Sequence, residues 1–278
     1  MIRKPISNSW KIGLGIAAFV ILALVYTGLS QWQYRKNPSQ TVMPGWSQLA
    51  AGVARVIKPD DVDYDGRSWL WVDSKASFTR LFSGLALGCF LGIVIGVAMG
   101  CYEPIEALLL PPLSFFAKIP PTALLAVFFT VMAMLKDFVS GPHLEFLFFV
   151  GMITFGVLPS LAQAAHQAAK KDVPDELIDK AFTLGASQAE LIWNVVYKQI
   201  LPRLLEAMRL QVGPAMVYLL AAEWNNTDIG FGFRLRVTGR LLQMNVVYVY
   251  LVYLGLVGLA IDYALTFARR KLCPWFGE

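Results

Sequence analysis

The chain has 278 residues, of which 56% are hydrophobic and 15% charged, and its formal net charge is +5. A soluble domain averages about 25% charged residues, so this composition excludes an ordinary soluble protein. The sequence has no basic run with interleaved aromatic residues, so its positive charge indicates loops at an anionic membrane surface, not nucleic-acid binding. We therefore expect an all-α, polytopic membrane protein that contacts lipid and has no nucleic-acid partner.

Long apolar runs predict about six transmembrane helices, since one span needs about 20 apolar residues. The predicted spans are residues 12–34, 81–102, 105–135, 146–169, 204–223 and 241–261. A weakly amphipathic helix is expected at 46–57, followed by an acid-rich loop at 59–71. The expected divisions are a first helix with its connection (1–76), a core (77–269) containing a 170–202 loop, and a tail (270–278).

Five glycines recur every four residues along the second predicted span: Gly84, Gly88, Gly92, Gly96 and Gly100. This spacing places them on one helix face, where another backbone can approach closely. We expect tight packing within the same chain, and a specialised functional seam is the alternative.

Two proline pairs interrupt the third predicted span, Pro111–Pro112 and Pro120–Pro121. Proline removes a backbone donor and breaks helices, so a broken span is expected. Broken helices at membrane depth are tolerated where they face protein or a water-filled cavity. Lys118, beside the second pair, either lines such a cavity or extends its charge to the interface.

Residues 173–202 form a polar stretch between apolar runs. Acidic residues after Pro174 suit the first turn of a helix. Gly185 can end that helix in the left-handed conformation. Ser187 and Glu190 have the spacing of a capping box that begins a second helix. The stretch is therefore predicted to be a helical hairpin whose apolar face needs a partner.

The end of the fifth span and the polar loop after it carry further charges. Glu223 either braces an outer gate or marks the interface. The loop at 225–240 contains three arginines, Arg234, Arg236 and Arg240. They either attract an anion, dock the acidic rim of a binding protein, or remain solvated.

Basic residues near both ends place the two termini in the cytoplasm, because cytoplasmic segments are enriched in Lys and Arg. They are Arg3, Lys4 and Lys11 at one end, and Arg269, Arg270 and Lys271 at the other. The 170–202 loop then also lies in the cytoplasm. Asp262, within the last span, is expected to pair with a neighbour and not to line a path.

The sequence offers no chemistry for a cofactor or metal in this chain. It has no phosphate-binding glycine loop, and its two histidines lie far from each other and from any Cys or carboxylate cluster. We expect a transport subunit that is energised from elsewhere. An ATP-independent secondary carrier and a membrane enzyme remain alternatives, although inverted repeats, midplane acids and a catalytic cluster are not apparent.

Residues 179–187, Asp-Lys-Ala-Phe-Thr-Leu-Gly-Ala-Ser, resemble the EAA loop of binding-protein-dependent ABC importer permeases. Asp179 stands at the glutamate position and Lys180 at the first alanine, while Ala181 and Gly185 match. The resemblance implies a coupling helix that inserts into a groove of a separate ATPase. The residues implied in coupling are Asp179, Lys180, Ala181, Leu184, Gly185, Ala186, Ser187 and Glu190.

Further segments resemble the nitrate, sulfonate, taurine and bicarbonate branch of these permeases. They are residues 118–125, Arg209 with Gly213, residues 221–223, residues 229–233 and residues 270–275. Gln211, Pro214 and Met216 depart from that pattern. The resemblance implies a path for a small anion, with Lys118, Pro120, Pro121, Thr122, Gln211, Glu223, Arg234, Arg236 and Arg240 as path or gate candidates.

The resemblance also implies the assembly. Two permease copies would form the pathway in the bacterial inner membrane, and a periplasmic binding protein would deliver the substrate. ATP and Mg²⁺ would bind to the partner ATPase, so this chain would carry no catalytic site of its own.

Overall fold

The computed structural model describes residues 7–37, 42–60, 66–136 and 141–276. The helices are α1 (Asn8–Lys36), α2 (Trp46–Ile57), α3 (Trp69–Cys101), α4 (Glu103–Phe116), α5 (Leu125–Leu135), α6 (Gly141–Lys171), α7 (Asp175–Thr183), α8 (Gln188–Glu190), α9 (Tyr197–Asn226), α10 (Phe231–Arg240) and α11 (Met244–Leu272). Within the described residues, five helices are long and apolar enough to cross a membrane. The number is six if the bent pair formed by α4 and α5 counts as one span. The all-α polytopic prediction is confirmed.

Several predicted boundaries shift in the structure. The second span begins at Trp69, twelve residues before the predicted start. The predicted polar loop at 225–240 is wrong over most of its length, because α10 occupies its second half. A two-residue antiparallel pair, β1 (Pro59–Asp60) with β2 (Arg67–Ser68), was not expected. Residues 61–65 of the acid-rich loop lie outside the described residues.

The chain forms two compact units, residues 1–70 with 235–252, and residues 71–234 with 253–278. In the first unit, the Tyr26 hydroxyl donates to the carbonyl oxygen of Pro44 at 2.6 Å. The ring centroids of Tyr26 and Tyr248 lie 5.9 Å apart. A Cβ added at Gly52 would lie 2.6 Å from the carbonyl oxygen of Asn245. These contacts join α1 and α2 to the start of α11. The expected divisions at residues 76 and 269 stay predictions.

In the second unit, the glycine stripe of α3 packs directly on α6. A Cβ added at Gly84 would lie 2.6 Å from Cβ of Ile153, and one at Gly96 would lie 2.4 Å from the carbonyl oxygen of Ala162. At Gly100 the nearest atom would be Cβ of Ala169, at 2.4 Å. The prediction of close packing within the same chain is confirmed.

The third span is broken, as predicted. Helices α4 and α5, the latter preceded by a 3₁₀ turn over Pro121–Leu124, meet at an angle of 82°. The break follows Phe116 and coincides with the second proline pair, while Pro111 and Pro112 lie inside α4. Proline costs a helix one backbone hydrogen bond, but only the second pair ends the helix here.

The core of the second unit is formed where α6 packs against α3 and α9. Its fully or nearly fully buried apolar side chains are Leu81, Cys89, Ile153, Val157, Leu161, Ala215 and Leu219. A second cluster, near the 170–202 segment, contains Ala165, Val173, Leu191, Val196, Ile200 and Leu204. The 170–202 segment is therefore fixed at its base by packing.

Candidate functional site

The hairpin at residues 175–190 is closed by two complementary caps. At the end of α7, the Ala186 amide donates to the Ala181 carbonyl at 3.0 Å, and the Gly185 amide donates to the Phe182 carbonyl at 2.9 Å. This pattern is a Schellman motif, and it requires the left-handed conformation seen at Gly185, whose φ is +85°. Glycine therefore ends α7 where the sequence predicted.

The second cap begins α8. The Glu190 amide donates to Ser187 Oγ at 3.3 Å, and the Ser187 amide donates to Glu190 Oε2 at 2.9 Å. Each side chain thus satisfies the other residue's free backbone donor, so the predicted capping box is confirmed. Together the two caps fix the angle of the turn.

The tip of the hairpin is exposed while its base is buried. Leu184 has 88% of its surface exposed, and Phe182 has 48%. Ala186 is half-buried, whereas Val173 and Leu191 at the base are buried. An apolar tip on a rigid, packed base is suited to a protein partner, because covering large exposed apolar side chains removes the most apolar surface from water.

The other predicted coupling residues lie on the same hairpin. Asp179 and Lys180 are exposed on α7, and Ala181 is half-buried. Lys180 Nζ lies 3.9 Å from Glu176 Oε2 on the same helix. Lys198 Nζ donates to Asn194 Oδ1 at 3.1 Å. Both lysines lie at the surface.

The hairpin continues without a break into the fifth span. Residues Leu191–Val196 form a π-helical segment, in which the Tyr197 amide bonds to the Ile192 carbonyl. The whole helix therefore runs from Gln188 to Asn225 as one 38-residue candidate span. The separate fifth span predicted at 204–223 is in fact joined to the second helix of the hairpin.

A buried charge cluster lies at the far end of this helix. Glu223 is fully buried, and its carboxylate accepts from Ser77 Oγ at 2.7 Å, from Arg80 Nη1 at 3.0 Å and from the Gly232 amide at 3.0 Å. Arg80 also donates to Glu145 Oε1 of α6 at 3.0 Å. Glu223 thus links α9 to α3 and α10, and Arg80 extends the network to α6. Glu223 does not mark an exposed interface.

Two glycines make room for this carboxylate. A Cβ added at Gly230 would lie 2.6 Å from Glu223 Oε1, and the backbone φ of Gly230 is +129°. A Cβ at Gly232 would lie 2.5 Å from the Leu220 carbonyl oxygen. A side chain at either position would displace the Glu223 carboxylate or the backbone of α9, which explains the glycines flanking Phe231.

A second ion pair completes the cluster, which we call the outer cluster: Asp73, Ser77, Arg80, Glu145, Glu223 and Arg234. Arg234 Nε donates to Asp73 Oδ2 at 2.9 Å, and the Gly230 amide donates to Asp73 Oδ1 at 3.1 Å. The side chains of Arg234 and Asp73 are 6% and 0% exposed. Arg234, predicted on an exposed loop, is therefore buried on a helix.

The remaining path candidates are spread over both units. Lys118 and Pro120 are exposed, Thr122 and Gln211 are half-buried, and Pro121 is buried. A Cβ added at Gly156 of α6 would lie 3.0 Å from Pro121 Cγ, so this proline packs against the bundle. Arg236 and Arg240 belong to the first unit, where they are half-buried and exposed.

Sequence reasoning missed most of the outer cluster. Asp73, Ser77 and Arg80 were not singled out, although their spacing of four and three residues places them on the helix face that continues into the glycine stripe. The polar face of α3 that continues into its glycine stripe could have indicated that these three residues are buried. Among the described residues, no group of three or more His, Cys, Asp or Glu could hold a metal ion.

The long apolar helices and the broken span define a polytopic helical membrane protein. A family model described as "Binding-protein-dependent transport system inner membrane component" matches residues 88–272. The chain belongs to this family and is a permease of the ABC importer type, as the sequence resemblance implied.

Individual relatives agree with the family. The taurine transport system permease protein TauC of Escherichia coli K12 is 29% identical over 209 residues, which cover 75% of this chain and 72% of TauC. The nitrate import permease protein NrtB of Synechocystis is 24% identical over 74% of this chain and 70% of NrtB. The bicarbonate transport system permease protein CmpB of Synechococcus elongatus is 24% identical over 92% of this chain and 86% of CmpB.

The fold is also found among solved structures. A chain of the inward-facing MetNI methionine ABC transporter aligns with a TM-score of 0.57 at 19% identity, covering 73% of this chain and 94% of that one. At this identity the similarity concerns the fold alone.

Proposed function

We propose that this chain forms the translocation path of an ATP-driven importer for a small anion and receives the ATPase on its 175–190 hairpin. The hairpin is the observation that carries the proposal. Its base is packed into the bundle, the turn between its helices is capped on both sides, and Leu184 at its tip is 88% exposed. A rigid apolar tip of this kind can transmit a displacement, because its caps resist bending on contact.

The substrate class is supported by the relatives. The names of two relatives give nitrate and bicarbonate, which are small anions. The name of the third gives taurine, a zwitterion whose sulfonate group is anionic. A small-anion substrate is accordingly the function that we propose for this chain. A periplasmic binding protein would deliver it, and a second copy of this chain would complete the path.

The proposed orientation places the hairpin and both termini in the cytoplasm. Arg269, Arg270 and Lys271 occupy the last turn of α11, and Lys170 and Lys171 end α6 next to the hairpin. Cytoplasmic segments are enriched in these residues. A reporter that is active only in the periplasm, fused after residue 276, would be inactive under this proposal and active if the orientation is reversed.

The coupling proposal is tested by adding a charge at the tip. Leu184→Glu should remove most of the ATPase activity that co-purifies with the tagged chain in mild detergent, and should lower anion uptake at least tenfold. Gln188→Glu is the matched control, because it adds the same charge at a helix start where acids are tolerated. Full ATPase recovery with Leu184→Glu would contradict the coupling role.

A further inference from the structure

An ion pair inside two membrane-spanning helices stands apart from the outer cluster. Arg209 of α9 donates from Nη2 to Asp262 Oδ2 of α11 at 2.8 Å, and its Nε donates to Oδ1. Bidentate pairing of this kind is strong and fixes the guanidinium plane. Both residues belong to the second unit.

The pair lies at the depth of the hydrocarbon. The last turn of α11 carries Arg269, Arg270 and Lys271, which mark the membrane interface. Asp262 precedes Arg269 by seven residues, or about 10 Å along a helix. The hydrocarbon core is about 30 Å thick, so Asp262 and its partner lie well inside it.

At this depth the pair is nevertheless incompletely covered. The side chains of Arg209 and Asp262 are 38% and 35% exposed, whereas those of Arg234 and Asp73 in the outer cluster are 6% and 0% exposed. Charges within a membrane protein face the bundle interior or a water-filled cavity, because contact with lipid is costly. The uncovered side of the Arg209 pair is therefore not expected to face lipid.

The neighbouring surface of α9 leaves space for a ligand. Gly213, one helical turn beyond Arg209, is exposed, and a Cβ added there would meet no atom within 4 Å. The guanidinium has five N–H donors, of which Asp262 receives two, so three remain available to an anion. Unused guanidinium donors and free space thus occur together on one helix face.

We propose that Arg209 is the anion-contact residue of the translocation path and that Asp262 competes with the anion for it. The proposal rests on the proposed import function and names the residue that meets the substrate. A passing anion binds the free donors of Arg209, and Asp262 keeps this binding weak. Weak binding suits a path, because a substrate held too tightly would not leave.

The test uses cysteine reactivity in the full chain in lipid vesicles. Cys89, Cys101 and Cys273 are replaced by alanine, and Gly213→Cys supplies one reporter thiol. Its modification rate is measured with an anionic and a cationic methanethiosulfonate. These reagents attack thiolates, which form in water and not in lipid. Phe90→Cys is the apolar control, since Phe90 is 65% exposed and lies among apolar side chains of α3 and of residues 192–197.

The expected result is fast labelling at position 213, at least thirtyfold faster than at position 90. The ratio of anionic to cationic rates cancels the thiolate fraction and reports the local charge. Asp262→Asn should raise this ratio and Arg209→Gln should lower it, each by about tenfold for a unit charge about 6 Å away in water. Arg209→Lys and Asp262→Glu keep the charges and should leave the ratio within threefold.

Two results would overturn the proposal. Labelling at position 213 as slow as at position 90 would show that lipid or protein covers this face. A ratio that ignores both charge changes would show that neither charge acts on the space beside position 213. Val217→Cys, on an exposed position one turn further, supplies a second reporter if Gly213→Cys does not fold. Because no ATPase is needed, failure here is distinct from failure of the hairpin experiment.

Discussion

Gly96 offers the sharpest test of the packing between α3 and α6. A Cβ added there would lie 2.4 Å from the Ala162 carbonyl oxygen and 2.5 Å from the Ala165 Cβ. Ordinary contacts begin at 3.4 Å, so the two helices would have to separate by about 1 Å. Neither neighbour can rotate away, because one is backbone and the other is the first atom of a side chain.

Gly96→Ala should therefore destabilise the chain by about 1–3 kcal/mol, the usual cost of overpacking a filled core. That cost corresponds to a fall in Tm of about 3–10 °C, measured by fluorescence-detected thermal unfolding of the detergent-purified protein. Gly88→Ala should cost less, since its nearest new contact is 3.1 Å away. The order Gly96 worse than Gly88 follows from distance alone.

Gly15→Ala is the control, because a Cβ at this position of α1 meets nothing within 4 Å. Alanine is favoured over glycine in a helix by about 1 kcal/mol, so this variant should melt at the same temperature or slightly higher. Equal Tm values for Gly96→Ala and Gly15→Ala would refute the close approach of α3 and α6.

The remaining predictions concern the outer cluster and the hairpin. Glu223→Ala should cost about 3–5 kcal/mol of stability, because it leaves buried partners unsatisfied. Asp73→Asn should cost a similar amount, because it leaves the buried Arg234 without its ion-pair partner. Both costs are measured as Tm shifts. Ser187→Ala should weaken the hairpin by about 0.5–2 kcal/mol, seen as faster hydrogen exchange over residues 175–190. Reversing Lys180 and Lys198 to glutamate should lower the affinity for the ATPase at low salt if its docking surface is acidic, measured by co-purification.

Each of these predictions has its own contrary outcome. A Tm for Glu223→Ala within 1 °C of the unaltered protein would show that the cluster does not join the helix ends. Unchanged exchange in Ser187→Ala would mean that base packing alone orders the hairpin, and Gln188→Ala is its control. Unaltered ATPase binding after reversal of both lysines would contradict an acidic docking surface on the ATPase. It would not contradict the coupling role of the hairpin.

Local features of the fold were accessible from the sequence. Gly185, Ser187 and Glu190 were placed correctly because caps depend on residues within one turn of each other. The stripe containing Gly96 predicted a close backbone approach, but not that α6 would be the partner. A small residue indicates how closely another helix can pack, but the sequence does not identify that helix.

Long-range pairing was the part that could not be predicted. Arg234 resembles a solvated loop residue because nothing near it in sequence neutralises it, yet its partner Asp73 lies 161 residues away. The two glycines around Phe231 suggested a loop, whereas they admit the Glu223 carboxylate. Asp262 was expected to pair with a neighbour, and the pair with Arg209 confirms this, although the sequence did not identify Arg209.

One continuous helix, from Gln188 to Asn225, connects the hairpin to the outer cluster. Its 38 residues span about 57 Å, so a sideways movement of about 3 Å at the hairpin corresponds to a tilt of only about 3°. The helix packs against α6, and Pro202 and Pro214 are points of reduced stiffness because each lacks one backbone hydrogen bond. A bend at either proline would absorb part of such a movement, so under the proposed coupling role the stiffness of this helix would set how much of a push at the hairpin reaches Glu223.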